Sequence, residues 1–313
     1  MNMSSSSHVS NQYMSKNGVV ITQLAGYFLK KEEGDRVDTI EVLSQKYGVG
    51  RGTVQTALGF LIDTDAVSLT KRGHLGTTIC QISHDRLFQI SGVNHVVGVM
   101  PLPSSKVFEG LATGLFKVLN QSTVQFNFSF MTGSKNRLNS VLSKRNDFAV
   151  MSKASATGFL RDNADIKIVC ELHLSKLVTD HALYTRDDYG GYFPGMKVGL
   201  DESSYDQRDV SEAYFAGKNV DFVPIKYAGI AQSLRNKTID ATIWSKDNLV
   251  AHTDGLMMTP LNFRYTSDEK SSPVIVSLKD SDVINTFLLR YIDDNIVSDY
   301  QRIIMNDEGI PMY

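Results

Sequence analysis

Apolar residues recur with helical spacing at Val54, Ala57, Leu58, Leu61 and Ile62. Spacing of i, i+3, i+4, i+7 and i+8 is one buried stripe of an α-helix. Arg51, Gly52, Gln55 and Thr56 fall on the opposite side. Just upstream, Asp38-Thr39-Ile40-Glu41 supplies an N-cap with an acidic N3 residue, and Ile40, Leu43 and Tyr47 continue it as a short amphipathic helix. Gly48-Val49-Gly50 makes the turn between the two, with Val49 as its plug. Ile21, Leu24, Ala25, Phe28 and Leu29 predict a third helix. After the stripe the period changes to that of a hairpin: strand Val67 to Thr70, basic turn Lys71 to Gly76, strand Thr77 to Ile79. Three helices and a hairpin in this order predict a winged helix-turn-helix over residues 18–80.

The exposed side of the second helix of that motif carries residue types that suit base edges and phosphates. The residues expected at DNA are Gly50, Arg51, Gly52, Thr53, Gln55 and Thr56 on the helix, and Lys71, Arg72, Gly73 and His74 on the wing. Arg51 at the helix start and Lys71-Arg72 at the wing tip put cations where a phosphate backbone would run. A protein-docking module is the competing reading, since the charges of the segment are nearly balanced.

Gly48-Val49-Gly50-Arg51-Gly52-Thr53-Val54 followed by Ala57-Leu58, with Arg72-Gly73 and Gly76-Thr77 in the wing, resembles the DNA-binding domain of GntR-type bacterial regulators. The resemblance implies operator binding through this helix and wing. Two residues depart from the family pattern. Gly50 stands where the family usually has Ser and Gln55 where it usually has Arg, so the operator preference does not carry over. The wing turn is also one residue longer, around His74 and Leu75.

From Val96 onward the pattern becomes alternating strands and helices, which predicts an α/β domain over 96–313. Strands are expected at Val96 to Met100, at Val124-Phe126-Phe128-Phe130, and at Asp147 to Met151; Val107, Phe108, Leu111, Leu115, Val118 and Leu119 mark a helix, and Leu138 to Leu142 another. A second series starts near Lys197: strand to Leu200, helix through Val210, Ala213 and Tyr214, strand Val220 to Ile225, helix Ile230 to Leu234, strand Asp240 to Trp244. Residues 138–153 also lie over 231–246 without a gap, with Ser140/Ser233, Lys144/Lys237, Asp147/Asp240, Ser152/Ser245 and Lys153/Lys246 coinciding. Two tandem lobes follow, the second spanning about 180–274.

The segments Leu177 to Thr185 and Pro273 to Leu278 resemble the crossing strands of type 2 periplasmic-binding-protein folds, and 96–313 as a whole is similar to that fold. A winged helix ahead of such a domain resembles the YhfZ family of bacterial regulators. The resemblance implies an α/β sensor whose ligand sits between the lobes, and it names no ligand.

Open α/β sheets bind ligands beyond the carboxyl ends of their strands, where helix N-termini offer unpaired N–H groups. That rule selects Ser104, Ser105, Ser134, Lys135, Ser152 and Lys153 in the first lobe, with Ser203, Ser204, Tyr227, Ser245 and Lys246 in the second. Hydroxyls and lysines together suit a small anionic metabolite. For any one serine the competing reading is an ordinary helix cap.

Composition narrows the function classes. Net charge is −2 in 313 residues, so nucleic-acid binding must be local rather than that of a polycation. Cys80 and Cys170 are far apart without metal-ligand spacing, which reads as reduced thiols in a cytoplasm. No apolar run has membrane-span length, and Met1 to Asn17, rich in Ser and Asn, reads as a disordered tail. Residues 81–95 read as a linker with a short helix from Ser83 to Ile90. The seven histidines make no metal motif, and the Gly-x-Ser-x-Gly elbow, Walker lysine and Rossmann fingerprint are absent from the sequence. No enzyme, cofactor, metal or membrane partner is therefore expected; the expected partners are a double-stranded DNA operator, a small anionic metabolite and a second copy of the chain as a homodimer. The alternative is a second domain that only dimerises, its cleft filled by bulky residues such as Phe159, Tyr192 or Tyr205. An enzyme-like domain fused to the regulator is the third reading.

Overall fold

A computed structural model describes residues 15–177, 181–246, 255–261 and 272–313. Residues 1–14 of the expected tail, and parts of the segments around both crossings, lie outside the described residues. The chain divides into two units: one comprises residues up to Val96 with Ser122–Gln125 and Asp282–Arg290, and the other holds the remainder.

In the first unit, helix α1 (Lys16–Phe28) is capped by Ser15, whose hydroxyl accepts the Gly18 N–H at 3.2 Å. Its buried stripe is Val20, Leu24, Ala25 and Phe28. Strand β1 (Arg36–Val37) precedes helix α2 (Ile40–Tyr47), capped by Thr39 and closed by Gly48 in the left-handed conformation at φ 63°. Helix α3 (Arg51–Asp63) begins at Gly50, which offers no side-chain cap. Val54, Ala57 and Leu61 are fully buried, Leu58 is half-buried, and Ile62 is 41% exposed. The stripe is narrower than the periodicity predicts: α3 packs against α1, α2 and β2, and Ile62 stays exposed.

The wing is β2 (Val67–Lys71) against β3 (Thr77–Ile82), antiparallel, with a register irregularity between Ser68 and Leu69. The two-residue β1 pairs antiparallel with the other side of β3, completing a three-stranded sheet. Two residues are too few for a period, so the sequence pattern does not announce β1. Helix α4 (His84–Ile90) takes up about half of the expected linker and buries Leu87 and Phe88.

The second unit has two five-stranded sheets. Its first lobe contains β4 (His95–Met100), α5 (Lys106–Leu119), β5 (Gln125–Phe130), α6 (Ser134–Leu142), β6 (Phe148–Ser152), α7 (Lys153–Asp162) and β7 (Ile166–Glu171). Its second lobe contains β8 (His181–Arg186), β9 (Met196–Leu200), α8 (Tyr205–Tyr214), β10 (Val220–Pro224), α9 (Ile230–Arg235), β11 (Ala241–Ser245) and β12 (Leu256–Pro260). Strand β13 (Pro273–Leu278) and helices α10 (Asp282–Tyr291) and α11 (Asp294–Met305) follow.

The sheet orders are β5-β4-β6-β13-β7 and β10-β9-β11-β8-β12. They are the same order. Each lobe sets its second, first and third strands side by side, then admits one antiparallel strand from across the molecule before its fourth. The exchanged strands, β13 and β8, are the two crossings.

The sequence echo has a structural cause in this shared topology. Lys144 and Lys237 both adopt positive φ, 56° and 60°, where α6 and α9 end. Asp147 Oδ2 accepts the Val97 N–H at 2.8 Å, and Asp240 Oδ2 accepts the Lys197 N–H at 2.9 Å. Each aspartate therefore ties the start of its lobe's third strand to the start of the first.

Helix α10 belongs to the unit of the winged helix. Phe287 meets Phe88 edge to face at 5.4 Å, Lys30 pairs with Asp282 at 2.8 Å, and Arg290 pairs with Glu32. Helices α7, α10 and α11 and strands β7 and β12 add to the elements expected from the sequence.

Candidate functional site

The exposed start of α3 presents Arg51, Gly52, Gln55 and Thr56 to solvent, with Thr53 half-buried. Arg51 forms an ion pair with Glu41 of α2, and its side chain is 70% exposed. Exposed pairs of this kind contribute about 0–1 kcal/mol, so the guanidinium is available to a phosphate at small cost. Lys71, Arg72, Gly73 and His74 are all exposed at the wing tip, where the Arg72 N–H donates to Gly76 O at 2.7 Å and closes the turn. The ten residues that the sequence singled out for DNA thus lie on the helix start and the wing tip of one unit.

In the second unit, a cavity of about 100 Å³ lies between the lobes. Of the residues expected at an effector, Ser104, Ser134, Ser204, Tyr227 and Ser245 line it. Ser105, Lys135, Ser152, Lys153, Ser203 and Lys246 do not. Lys135 lines a separate hollow of about 270 Å³ instead. Lys153 is drawn away by Glu171, 2.9 Å from its Nζ. Ser152 is the N-cap of α7 and its hydroxyl donates to Asp206, while Ser203 donates to Asp201 at 2.7 Å. Strand-end position alone does not separate side chains that turn into a cleft from those satisfied beside it.

The cavity also holds residues that the strand-end rule passed over: Arg137, His181, Asp201, Asp206, Gln207 and Trp244. Arg137 is fully buried, and burial pushes its guanidinium down to about 10, partly offset by Asp206. It stays charged at neutral pH. Its Nε donates to Val150 O at 3.0 Å and its Nη1 to Met131 O at 2.9 Å, which fixes the guanidinium at the cavity wall. A sequence signal for it existed: Ser134, Arg137, Leu138 and Val141 are spaced as a buried stripe, and all four are buried. A charge on such a stripe needs a partner.

Trp244, the one tryptophan of the chain, lines the cavity with its ring 5.3 Å from Tyr227. Among the described residues its Nε1 is buried without a hydrogen-bond partner. The Tyr227 hydroxyl bonds to Ser104 across the lobes, and burial raises its pKa. Gln207 braces the floor, its Nε2 donating to Gly199 O at 3.2 Å and Ile243 O at 3.1 Å, and its Oε1 accepting the Asp201 N–H at 2.9 Å.

The bulky residues weighed as cleft fillers do not line this cavity, although Phe159 and Tyr205 meet each other between the lobes. Their rings pack at 5.6 Å beside the second hollow, and Tyr192 is 45% exposed. Among the described residues no group of three or more His, Cys, Asp or Glu is placed to hold a metal ion, and no helix is long and apolar enough to cross a membrane. Cys170 is half-buried and its thiol is pushed up to about 12, the opposite of nucleophile activation.

The architecture defines a class: a helix-turn-helix regulator whose second domain is a two-lobed, periplasmic-binding-protein-like fold. Residues 32–79 match a helix-turn-helix domain family, and residues 83–313 match the YhfZ C-terminal domain family. The chain belongs to the YhfZ family. It is 29% identical over 305 residues to the uncharacterized protein YhfZ of Escherichia coli (strain K12), covering 96% of this chain and 99% of that one. The crystal structure of YhfZ from Shigella flexneri matches with TM-score 0.59 and 28% identity, covering 73% of this chain and 97% of that chain. The amino acid ABC transporter substrate-binding protein AbpA from Streptococcus pneumoniae, bound to L-arginine, matches with TM-score 0.50 and 17% identity, covering 70% of this chain and 96% of that chain. The likeness to AbpA is one of fold.

Proposed function

We propose that this chain is a cytoplasmic DNA-binding transcriptional regulator whose operator affinity is set by a small anionic metabolite held between the lobes of its second domain. The observation that carries the reading is the lining of the cavity between the lobes, where the charged guanidinium of Arg137 joins the hydroxyl-bearing Ser104, Ser134, Ser204 and Ser245. A buried cation beside several hydroxyl donors favours a ligand that brings acceptor oxygens and a negative charge. Size and charge narrow the class. A cavity of about 100 Å³ compares with the ~150 Å³ cavity that admits benzene, so about four non-hydrogen atoms fit. Asp201 and Asp206 in the lining disfavour a second negative charge. A small monocarboxylate meets these conditions, and two copies on half-sites about one helical turn apart would couple its binding to DNA.

The test is selection of operator DNA from a random duplex library by the full chain, followed by titration of a panel of small monocarboxylates against the selected duplex. The reading requires at least one monocarboxylate to change operator affinity and to lose that effect in Arg137→Ala. A selected operator with no response to any of the panel would favour the alternative, a second domain that only dimerises. That alternative draws on one observation, that the lobes are tied to each other by side chains of the protein itself.

A further inference from the structure

The contacts between the lobes are specific, and they converge on one carboxylate. Asp206, near the start of α8 in the second lobe, accepts from Ser152 Oγ with both oxygens at 2.8 Å. Ser155 Oγ reaches the same carboxylate at 3.1 Å. Both serines belong to the first turn of α7 in the first lobe, where Ser152 also caps the helix by accepting the Ser155 N–H at 3.0 Å. Ser134 Oγ lies 3.2 Å from Ser155 Oγ and accepts the Tyr205 N–H of the second lobe at 3.2 Å. The positive charge of buried Arg137 acts on Asp206 from behind this row.

The backbone is shaped for the same approach. Gly133 has φ +76°, and a Cβ there would stand 2.2 Å from Ser203 Oγ. A Cβ on Gly158 would stand 2.4 Å from the Tyr205 ring. The Lys135 N–H at the start of α6 donates to Ser203 O at 3.0 Å. Donors on the first lobe, two side-chain-free positions and a carboxylate on the second form one matched surface.

We propose that Asp206 is an internal latch: its carboxylate, held by Ser152 and Ser155 beside Arg137, closes the two lobes without any effector. Charge-assisted hydrogen bonds to a carboxylate are among the stronger ones available to a protein, and a helix N-terminus favours a negative charge. Ser152 does not line the cavity while Asp206 does, so the latch stands at the cavity's edge and needs nothing inside it to form. An effector would then act by trapping or releasing a state that the chain already reaches alone, rather than by creating it.

Trp244 reports on closure because it is the sole tryptophan and lines the interlobe cavity. In the full chain without added ligand, Asp206→Ala should red-shift its emission, raise its acrylamide quenching constant several-fold and increase the radius of gyration in small-angle scattering. Added acetate, a carboxylate free of its tether, should reverse these changes in Asp206→Ala. The double variant Ser152→Ala/Ser155→Ala removes the donors from the other lobe and should open the lobes without rescue by acetate. Unchanged emission, quenching and scattering in Asp206→Ala with native circular dichroism would overturn the latch. Opening that acetate fails to reverse would overturn it too, because lost packing rather than a lost carboxylate would then be the cause. If Asp206→Ala does not fold, the double variant decides: opening supports the latch, and wild-type emission refutes it.

Discussion

Arg51 and His84 show how single side chains in one unit lead to different measurements. Arg51 at the start of α3 is exposed and spends its charge on Glu41, a pair that a DNA phosphate would replace. Arg51→Ala should lower operator affinity clearly while leaving the melting temperature near that of the wild type; normal binding in a filter or fluorescence assay would remove α3 from the interface. His84 works on stability. Its Nε2 lies 3.1 Å from Lys31 O, and its pKa is lowered, first by burial and second by Arg290. The unfolded chain therefore binds this proton more tightly than the folded one, so stability rises with pH across the window. As pH falls through about 6.5, the ordinary histidine value, the first unit should lose stability. Melting curves between neutral and mildly acid pH should show this, and His84→Gln should flatten the dependence; an equally steep loss in that variant would assign it to other groups.

At the scale of elements, the wing and α10 have opposite legibility. The wing was readable from Lys71-Arg72-Gly73 because a hairpin turn between two alternating runs is a local event. Its cations sit at an exposed tip, so they are placed to meet backbone rather than bases. Lys71→Ala or Arg72→Ala should weaken binding to all duplexes alike and make the salt dependence shallower by about one unit of slope for each lost phosphate contact. A sequence-selective loss would instead place the wing on base edges. Helix α10 is two hundred residues from the helices it packs against, and no local period announces that. Phe287 is fully buried against Phe88, so Phe287→Ala should destabilise the winged-helix unit by about 3–5 kcal/mol. Hydrogen exchange would register it as lost protection in α1 and α4; protection unchanged there would mean that α10 contributes little to that core.

For the whole molecule, connectivity supplies the route between input and output. The chain leaves β13, a central strand of the first lobe, and three residues later enters α10, part of the winged-helix unit. Coupling of about 1–3 kcal/mol is the usual range for such systems, and differential contacts made by one small ligand can supply it. Arg137→Ala should separate the two functions: operator affinity without effector close to that of the wild type, and the effector response gone. If the variant lost operator binding altogether, Arg137 would be a structural requirement of the domain and its place in ligand recognition would need another basis.

Short-range periodicity determined the winged helix, the first three strands of each lobe with the helices between them, and the repeat that relates them, because each element rests on spacings of two to eight residues. The identity of α3 as the exposed helix followed from Arg51, Gln55 and Thr56 lying opposite Val54 and Leu61. Tertiary structure decided the rest. Strand exchange by β8 and β13, the attachment of α10 and the two-residue β1 are pairings between distant segments, and a sequence carries no distance for them. The cavity was decided in the same way. Arg137, Asp206 and Trp244 come from three separate elements, and what each can do depends on which of its donors or acceptors the fold has already used. Ser134 and Ser152 look alike as helix starts in the sequence, yet one lines the cavity and the other holds Asp206, because the second lobe arrives over them from residues that neither could specify alone.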